Sequence, residues 1–260
     1  MRTVIISGAS SGIGQSTAER FADAGDRVVN LDVRPPAEAR EDVRWIKVDV
    51  ADWTAVRDAV AEVHADYGRL DVVIANAGIS VRHGVLEITE SDARRVIDVN
   101  LMGVLALWRH AAEFMVTQPA SDALSGRDPG GVAGVLLATA SVNGMRGYPF
   151  YADYNATKAG IAALCRTFAL ELSPHIRAAC VSPGAVLTPM QLAEYTGELL
   201  EETNRAIPSR RHAAPSEIAD AFYFLASPQA AFFTGQELVI DGGETAGATT
   251  ALFGTGGLAV

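Results

Sequence analysis

The stretch TVIISGASSGIGQ, residues 3–15, joins a short apolar run to a glycine-rich turn and to the start of a segment with helical period. Gly8, Gly12 and Gly14 allow the backbone to turn sharply and to approach a ligand closely. The free amides and the dipole of a helix starting near residue 13 favour an anion such as a pyrophosphate. The alternative is an ordinary strand-to-helix turn without a ligand, and two features further along the chain argue against it.

The same strand-to-helix alternation continues along the chain. Apolar, β-branched runs that resemble strands occupy residues 3–7, 27–32, 43–49, 70–76, 134–141, 176–182 and 236–241. Helical segments are predicted at residues 13–24, 53–67, 90–115, 152–172 and 216–226. Strands that are apolar on both faces and joined by helices predict a parallel sheet covered on two sides. The expected fold is therefore α/β, a doubly wound parallel sheet of the Rossmann type with about seven strands and helices on both faces.

Composition limits the partners and the location of the protein. The chain of 260 residues is 49% hydrophobic, which predicts one domain over residues 1–260. Its formal charge of -10 argues against nucleic acid or an anionic membrane as a partner. Charged residues interrupt the longest apolar segment, 101–116, so neither a membrane span nor a signal peptide is expected. Cys165 and Cys180 have no C-x-x-C partner, which predicts reduced core cysteines and a cytoplasmic protein.

Three segments depart from the strand and helix pattern. Residues 117–131 are predicted to form a surface loop. Residues 183–215 contain four prolines and no strand pattern, and they are predicted to form a substrate lid. The tail, residues 244–260, is rich in Gly, Ala and Thr, so it is either disordered or docked on a neighbouring subunit. Its Ala-Leu-Phe sequence favours docking.

Asp32 ends the second predicted strand, about twenty residues after the glycine turn. A carboxylate at this position accepts hydrogen bonds from both hydroxyls of an adenosine ribose. It would repel a phosphate on the 2′ oxygen, and the glycine loop contains no basic residue. Arg34, two residues away, is the alternative partner for such a phosphate. The sequence therefore favours NAD over NADP.

Tyr154 and Lys158 lie four residues apart in a segment with helical period, so their side chains share one face. A phenol with a pKa of about 10 is a poor acid or base near neutrality and needs a shift of roughly three units. The chain has nineteen arginines but only two lysines. A compact ammonium on a thin stem fits beside a phenol and two ribose hydroxyls better than a wide guanidinium does. The alternative is an exposed pair on a solvated face, but residues 155–165 contain no other charge.

Taken together, these motifs resemble the short-chain dehydrogenase/reductase family in its common form of about 250 residues. The resemblance covers nearly the whole chain, and the motifs occur in the family's order and spacing. They are GASSGIG (8–14), Asp32, DV (49–50), NAGI (76–79), Asn100, Ser141, YNATK (154–158), SPGAVLTP (182–189) and DGG (241–243).

The resemblance implies a role for each of four catalytic residues. Ser141 would hold the substrate oxygen, and Tyr154 would exchange its proton. Lys158 would bind the nicotinamide ribose and lower the pKa of the phenol. Asn100 would hold a water that links Lys158 to solvent. No metal is expected, because the five histidines are scattered and lack paired ligand spacing.

The resemblance also implies a cofactor site and an assembly. The predicted NAD-binding residues are Gly8, Ser10, Ser11, Gly12, Ile13, Gly14, Asp32, Asp49, Val50, Asn76, Ala77, Gly78, Tyr154, Lys158, Pro183, Gly184, Val186 and Thr188. Small residues in the predicted helix 152–172 permit close approach of another helix, so a homodimer or homotetramer is expected. Packing of that face against the chain's own sheet is the equal alternative.

The resemblance implies a substrate pocket lined by residues 79–84, 142–151 and 185–212. Its candidate substrate residues are Arg82, Asn143, Arg146, Tyr148 and Tyr151. This mixture favours a polar secondary alcohol such as a cyclitol, a sugar-like compound or a hydroxy acid. The bland alternative is that the arginines are solvated loop charges.

The function predicted on this basis is NAD-dependent oxidation of a polar secondary alcohol to a ketone by hydride transfer, with Tyr154 as the general base. One alternative is an NAD(P)H-dependent reductase of a carbonyl or of a 3-oxoacyl thioester. The other is a dinucleotide-binding regulator without catalysis.

Overall fold

A computed structural model of the chain describes residues 1–126 and 131–247. Within them, a parallel sheet of seven strands has the order β3-β2-β1-β4-β5-β6-β7. The strands are β1 (Thr3–Ser7), β2 (Arg27–Asp32), β3 (Val43–Lys47), β4 (Val72–Ala75), β5 (Gly134–Thr139), β6 (Ile176–Pro183) and β7 (Gln236–Ile240). The doubly wound parallel sheet predicted from the sequence is confirmed.

Helices cover both faces of this sheet. They are α1 (Gly12–Asp23), α2 (Trp53–Tyr67), α3 (Glu90–Ile97), α4 (Gly103–Met115), α5 (Asp122–Ser125), α6 (Ala152–Leu172), α7 (Pro189–Glu194), α8 (Gly197–Ala206) and α9 (Pro215–Leu225). Short 3₁₀ turns lie at Val142–Gly144 and Pro228–Ala230. In the part of the chain that the structure describes, no helix is long and apolar enough to cross a bilayer.

The two faces of the sheet form separate hydrophobic cores. On one face α2, α4 and α6 bury residues such as Val60, Trp108 and Ile161 against the strands. On the other face α1 and α9 contribute Phe21 and Phe222. Buried apolar surface on both faces explains why the strands read as continuous apolar runs instead of alternating ones.

The chain reverses its winding direction between β1 and β4, which are neighbours in the sheet. In a sheet of this type, the loops that leave the carboxyl ends of two such strands turn to opposite faces and leave a crevice between them. The glycine turn follows β1, and residues 76–79 follow β4. Both of these predicted site segments therefore border the crevice.

The predicted helix 90–115 is interrupted. Residues Asp98–Met102 form a π-helical turn between α3 and α4. The turn buries the side chain of Asn100, whose amide donates to Ile79 O at 2.8 Å and whose oxygen accepts from Ile79 N at 2.8 Å. Local helical period contains no signal for this contact, because Ile79 lies in a distant loop.

The irregular segments contain more regular structure than the sequence indicated. The predicted loop 117–131 includes α5, and the buried Leu124 anchors that helix to the core; residues 127–130 lie outside the described part. The predicted lid 183–215 contains α7 and α8. The tail is described only to residue 247, so the expectation that it docks on a neighbour concerns residues outside the structure.

Gly14 is packed too closely to tolerate any side chain. A Cβ atom at this position would lie 2.1 Å from Gly8 O and 2.5 Å from Asn76 Nδ2. The first turn of α1 therefore rests directly on the backbone of the glycine loop. This contact explains why the third glycine of the motif is required even though its φ angle is ordinary.

We predict that Gly14→Ala lowers the free energy of unfolding by at least about 2 kcal/mol, because the new methyl group would push the first turn of α1 away from the backbone of Gly8. Urea unfolding followed by circular dichroism measures the change. The matched control is Gly197→Ala, where a Cβ meets nothing within 4 Å and the expected change is within about 0.5 kcal/mol. Equal stabilities of the two variants would contradict the packing argument.

Candidate active site

The side chain of Asn76 joins the carboxyl ends of three neighbouring strands. Its amide nitrogen donates to Ser7 O at 3.2 Å and to Gly8 O at 3.1 Å, both at the end of β1. Its oxygen accepts from the Thr139 hydroxyl, at the end of β5, at 2.9 Å. Asn76 itself follows β4. The floor of the crevice is thus cross-linked by one amide.

A cleft of about 530 Å³ lies above this floor. This volume is in the range of small-molecule sites. It is lined by Gly8, Ser11, Gly12, Ile13, Leu31, Asp32, Val33, Arg34, Val48, Asp49, Val50, Ala51, Asn76, Ala77, Gly78, Ile79, Ser91, Arg94, Arg95, Asp98, Val99, Thr139, Tyr154, Lys158, Thr188, Pro189 and Met190. Most of the predicted cofactor residues are in this set, together with Tyr154 and Lys158.

Five predicted cofactor residues are not among those that line the cleft: Ser10, Gly14, Pro183, Gly184 and Val186. The Ser10 hydroxyl donates to Arg34 O at 2.6 Å and so supports the loop after β2. Val186 pairs with Ala213 in a parallel bridge at the base of the lid. These residues shape the cleft from outside its lining.

The Asp32 carboxylate is held in a fixed orientation at one end of the cleft. Its Oδ2 accepts from Ser10 N at 3.1 Å, and its Oδ1 accepts from Arg34 N at 3.0 Å. Each carboxylate oxygen can accept a second hydrogen bond. The arrangement therefore leaves acceptor sites for a diol such as a ribose.

Lys158 is buried on α6, with only 3% of its surface exposed. Its Nζ donates to Thr139 O at 2.7 Å and lies 5.4 Å from the centre of the Tyr154 ring. Burial lowers the pKa of Lys158 to about 8, because the charged form loses hydration. The hydrogen bond to the Thr139 carbonyl holds the ammonium over the face of the Tyr154 ring.

The pKa of Tyr154 is raised, whereas the sequence predicted that it would be lowered. Burial raises it to about 12, the neighbouring Ser141 hydroxyl acts to lower it, and the negative charge of Glu194 raises it further. The protein residues alone therefore leave this phenol a weaker acid than a free tyrosine. The predicted lowering by Lys158 is not seen in the structure.

Asn100 lies beside Lys158 and Gly78. A Cβ atom on Gly78 would lie 3.4 Å from Asn100 Oδ1 and 3.7 Å from Lys158 Nζ. The Asn100 amide also approaches the Thr157 hydroxyl at 3.4 Å. The π-helical turn thus brings Asn100 to the ammonium, while its role in holding a water stays a prediction.

Ser141 caps the 3₁₀ turn that follows β5. Its hydroxyl accepts from Asn143 N at 3.1 Å, and the Asn143 amide donates to Asn155 Oδ1 at 2.8 Å, next to Tyr154. A Cβ atom on Gly144 would lie 2.7 Å from the carbonyl carbon of Lys158. Ser141 and the Tyr154 helix are therefore packed as one unit.

The predicted substrate arginines already have partners. The Arg146 guanidinium donates to the Tyr148 hydroxyl at 2.9 Å and to Glu244 O at 3.0 Å. Arg82 lies over the ring of Phe150 at 4.7 Å. Burial raises the pKa of Tyr148 to about 12 and leaves it a neutral donor to Glu244.

A buried His–Asp pair lies beside the reactive tyrosine. His83 Nε2 is 3.3 Å from Asp153 Oδ2, and the two side chains are 9% and 3% exposed. The other carboxylate oxygen of Asp153 accepts from Tyr154 N at 2.8 Å. The pair links the loop after β4 to the first turn of α6.

Sequence reasoning missed several residues that contribute to the site. Thr139 is the main omission, although its position at the end of a strand next to the crevice is a usable signal. Ser91, Arg94 and Arg95 line the outer wall from α3. Glu194 of the lid contacts Tyr151, and no local sequence pattern marks it among the lid carboxylates.

Comparisons with known proteins agree with this geometry. Residues 8–245 match a family model described as Enoyl-(Acyl carrier protein) reductase. A short-chain dehydrogenase/reductase of Armillaria gallica is 33% identical over 261 residues, covering 93% of this chain and 95% of the relative. The cis-4-hydroxycyclohexanecarboxylate dehydrogenase of Sinomonas cyclohexanicum is 34% identical over 258 residues. The match covers 94% of this chain and 97% of that relative.

A solved structure has the same architecture. The aldohexose dehydrogenase of Thermoplasma acidophilum, in its ligand-free form, superposes with a TM-score of 0.86 at 28% identity. The match covers 95% of each chain. The similarity therefore extends over the cleft and the lid as well as the sheet.

We predict that Lys158→Met makes the protein more stable at pH 7 by about 1–2 kcal/mol, because the wild type buries a cation. Above pH 8 the folded wild type loses this proton, while the unfolded lysine keeps it to about 10.5. The cost of burial is relieved as the pH rises, so the difference should narrow between pH 8 and 10. Urea unfolding at pH 7, 8 and 9 measures it.

Lys47→Met is the control, since Lys47 is exposed on β3 and is the other lysine of the chain. Its effect should not vary with pH over this range. A stability difference for Lys158→Met that stays constant from pH 7 to pH 9 would contradict the lowered pKa.

Proposed function

The chain belongs to the short-chain dehydrogenase/reductase family and is an oxidoreductase of hydroxyl groups, and we propose that it oxidises a polar secondary alcohol to a ketone with NAD as the hydride acceptor. One observation carries the proposal. Tyr154 and Lys158 line the same cleft as Gly8, Gly12 and Asp32. A proton-exchanging pair and a dinucleotide cradle are therefore adjacent.

The residues of the cleft fit a nicotinamide dinucleotide. Gly8 and Gly12 line the cleft with φ angles of +68° and +55°, which glycine adopts readily. Gly12 begins α1, and the dipole at the start of this helix favours an anion. The Asp32 carboxylate has free acceptor sites for the adenosine ribose. At the other end, Lys158 would hold the nicotinamide ribose, and Thr188, above Gly12, would meet the carboxamide.

Tyr154 is proposed as the general base of the oxidation. Its Oη would take the alcohol proton while the Ser141 hydroxyl donates to the substrate oxygen and keeps it in place. When bound, NAD accepts the hydride at C4 of a positively charged ring. Lys158 adds a fixed positive charge near the phenol, held by Thr139 O. Both charges favour the phenolate that burial alone disfavours.

Asn100 completes the proposed proton path. Its buried amide lies between Ile79 and the Thr157 hydroxyl, close to the ammonium of Lys158. Asn100 would hold a water that links Lys158 to solvent, so that a proton can leave the site at this point. The π-helical turn is the backbone feature that makes the position available.

The reverse direction is the second candidate. A 3-oxoacyl-[acyl-carrier-protein] reductase of Thermotoga maritima is 34% identical to this chain over 253 residues, which favours reduction of a carbonyl or of a 3-oxoacyl thioester. A reductase of this kind is expected to prefer NADPH. Asp32 argues against that preference, because its carboxylate repels a 2′-phosphate, and so the oxidative direction with NAD is the proposal.

The assembly and the location remain predictions from the resemblance. A homodimer or homotetramer is proposed, supported by the apolar surface that the outer faces of α4 and α6 leave exposed, including Val116 and Leu170. A cytoplasmic location is proposed, supported by Cys165 and Cys180, which are both buried free thiols.

Nucleotide titration calorimetry, followed by a screen of polar secondary alcohols at 340 nm, tests the function. We expect NAD to bind more tightly than NADP and Tyr154→Phe to bind NAD within about threefold of the wild type. The same variant should lose about 10³-fold in turnover, because the proton acceptor is gone. Tyr67→Phe, at the far end of α2, is the matched control. Full activity of Tyr154→Phe would exclude the proposed base.

Asp32→Asn tests the choice of cofactor. Removing the negative charge should raise the affinity for NADP relative to NAD by about tenfold, because the like-charge repulsion of the 2′-phosphate is lost. The ratio of the two dissociation constants measures the effect. Glu38→Gln removes an exposed charge from the same loop and should leave the ratio unchanged. An unchanged ratio in Asp32→Asn would show that Asp32 does not select the nucleotide.

A further inference from the structure

The carboxylate of Glu194 joins the three segments that were predicted to line the substrate pocket. It ends α7 of the lid, and its Oε2 accepts from the Tyr151 hydroxyl at 2.6 Å. Its Oε1 accepts from the Ser80 hydroxyl, in the loop after β4. One acidic side chain therefore fastens the lid to both other walls.

The carboxylate lies close to the reacting group. Tyr151 directly precedes α6, and its ring centre is 6.1 Å from that of Tyr154. Burial raises the pKa of both tyrosines, and the negative charge of Glu194 raises it further. A substrate whose hydroxyl reaches Tyr154 therefore comes within the field of Glu194.

This charge is not neutralised by a neighbouring cation. Across residues 1–126 and 131–247, no Lys, Arg or His nitrogen lies within 4.0 Å of the Glu194 carboxylate. Of the two arginines that were predicted to line the substrate pocket, Arg82 lies over the ring of Phe150 and Arg146 donates to Glu244 O. Glu194 is thus a half-buried anion whose carboxylate contacts the neutral hydroxyls of Tyr151 and Ser80.

We propose that Glu194 determines the charge of the substrate, so that the enzyme takes neutral alcohols and rejects those that carry a carboxylate or a phosphate. The inference rests on the proposed function and narrows its substrate class to neutral hydroxylated compounds. It removes the hydroxy acids that the arginines suggested from sequence alone. A substrate carboxylate about 6 Å from the Glu194 carboxylate, at an effective dielectric of about 40, would be repelled enough to weaken its binding by about tenfold.

The same carboxylate offers hydrogen bonds to a neutral substrate. Each of its oxygens accepts one protein hydroxyl and has a second lone pair available. A second hydroxyl or an amide of the substrate can donate to it. Glu194 therefore distinguishes a donor-bearing neutral group from an acceptor-only anion at the same position.

A shape-matched pair of ligands tests the proposal. The probes are cis-4-hydroxycyclohexanecarboxamide and cis-4-hydroxycyclohexanecarboxylate, which differ in charge but hardly in size. Dissociation constants are measured by ligand-observed NMR with and without NAD, and kcat/KM is measured for both. We expect the wild type to favour the amide by about tenfold or more. In Glu194→Gln this preference should fall to near unity through tighter binding of the carboxylate.

Glu198→Gln is the matched control. Glu198 is an exposed lid carboxylate in the first turn of α8, so this variant changes the net charge equally without touching Tyr151 or Ser80. It should keep the wild-type preference. A general loosening of the lid in Glu194→Gln would weaken both probes together and leave their ratio unchanged, which separates charge selection from a structural role.

The proposal is overturned if the wild type prefers the carboxylate or binds neither probe. It is also overturned if Glu194→Gln keeps the wild-type ratio, or if Glu198→Gln shifts it equally. Binding is measured independently of turnover. If the amide binds with the expected preference but no reduced nicotinamide forms with any alcohol, then the proposed function fails while the charge selection stands.

Discussion

The hydrogen bonds of Asn76 are the contacts on which the site depends. They tie Gly8 to Thr139 across three strand ends, and the Thr139 carbonyl in turn orients Lys158. The glycine loop and the ammonium, which are 150 residues apart in the chain, are therefore two ends of one hydrogen-bonded chain. A parallel sheet makes this possible, because it brings all its carboxyl ends to the same edge.

The fold follows from the sequence wherever local pattern and burial agree. The strands at 3–7 and 27–32 and the helices at 53–67 and 152–172 have the bounds that the sequence predicts. The interruption at Asp98–Met102 is not predictable in this way. It results from hydrogen bonds between Asn100 and Ile79, and a contact between distant segments has no trace in local periodicity.

The site shows the same limit: contacts within one element were predictable from the sequence, and contacts between distant segments were not. Tyr154 and Lys158 were predictable as neighbours, because a spacing of four in a helix fixes their shared face. The pKa of the phenol and the charge of the pocket were not, since both depend on what three separate loops bring together. Arg146 illustrates the difficulty. It reads as a free cation in the sequence, but Tyr148 and Glu244 occupy its guanidinium in the folded chain.

The burial of Lys158 leaves the protein surface with a single lysine side chain in the whole sequence, at Lys47. A reagent that acylates exposed amines therefore meets one lysine, on the edge strand β3. Its register partner in the sheet is Asp32, at one end of the cleft. A label or a solid support coupled through Lys47 would be attached at the same edge strand in every copy.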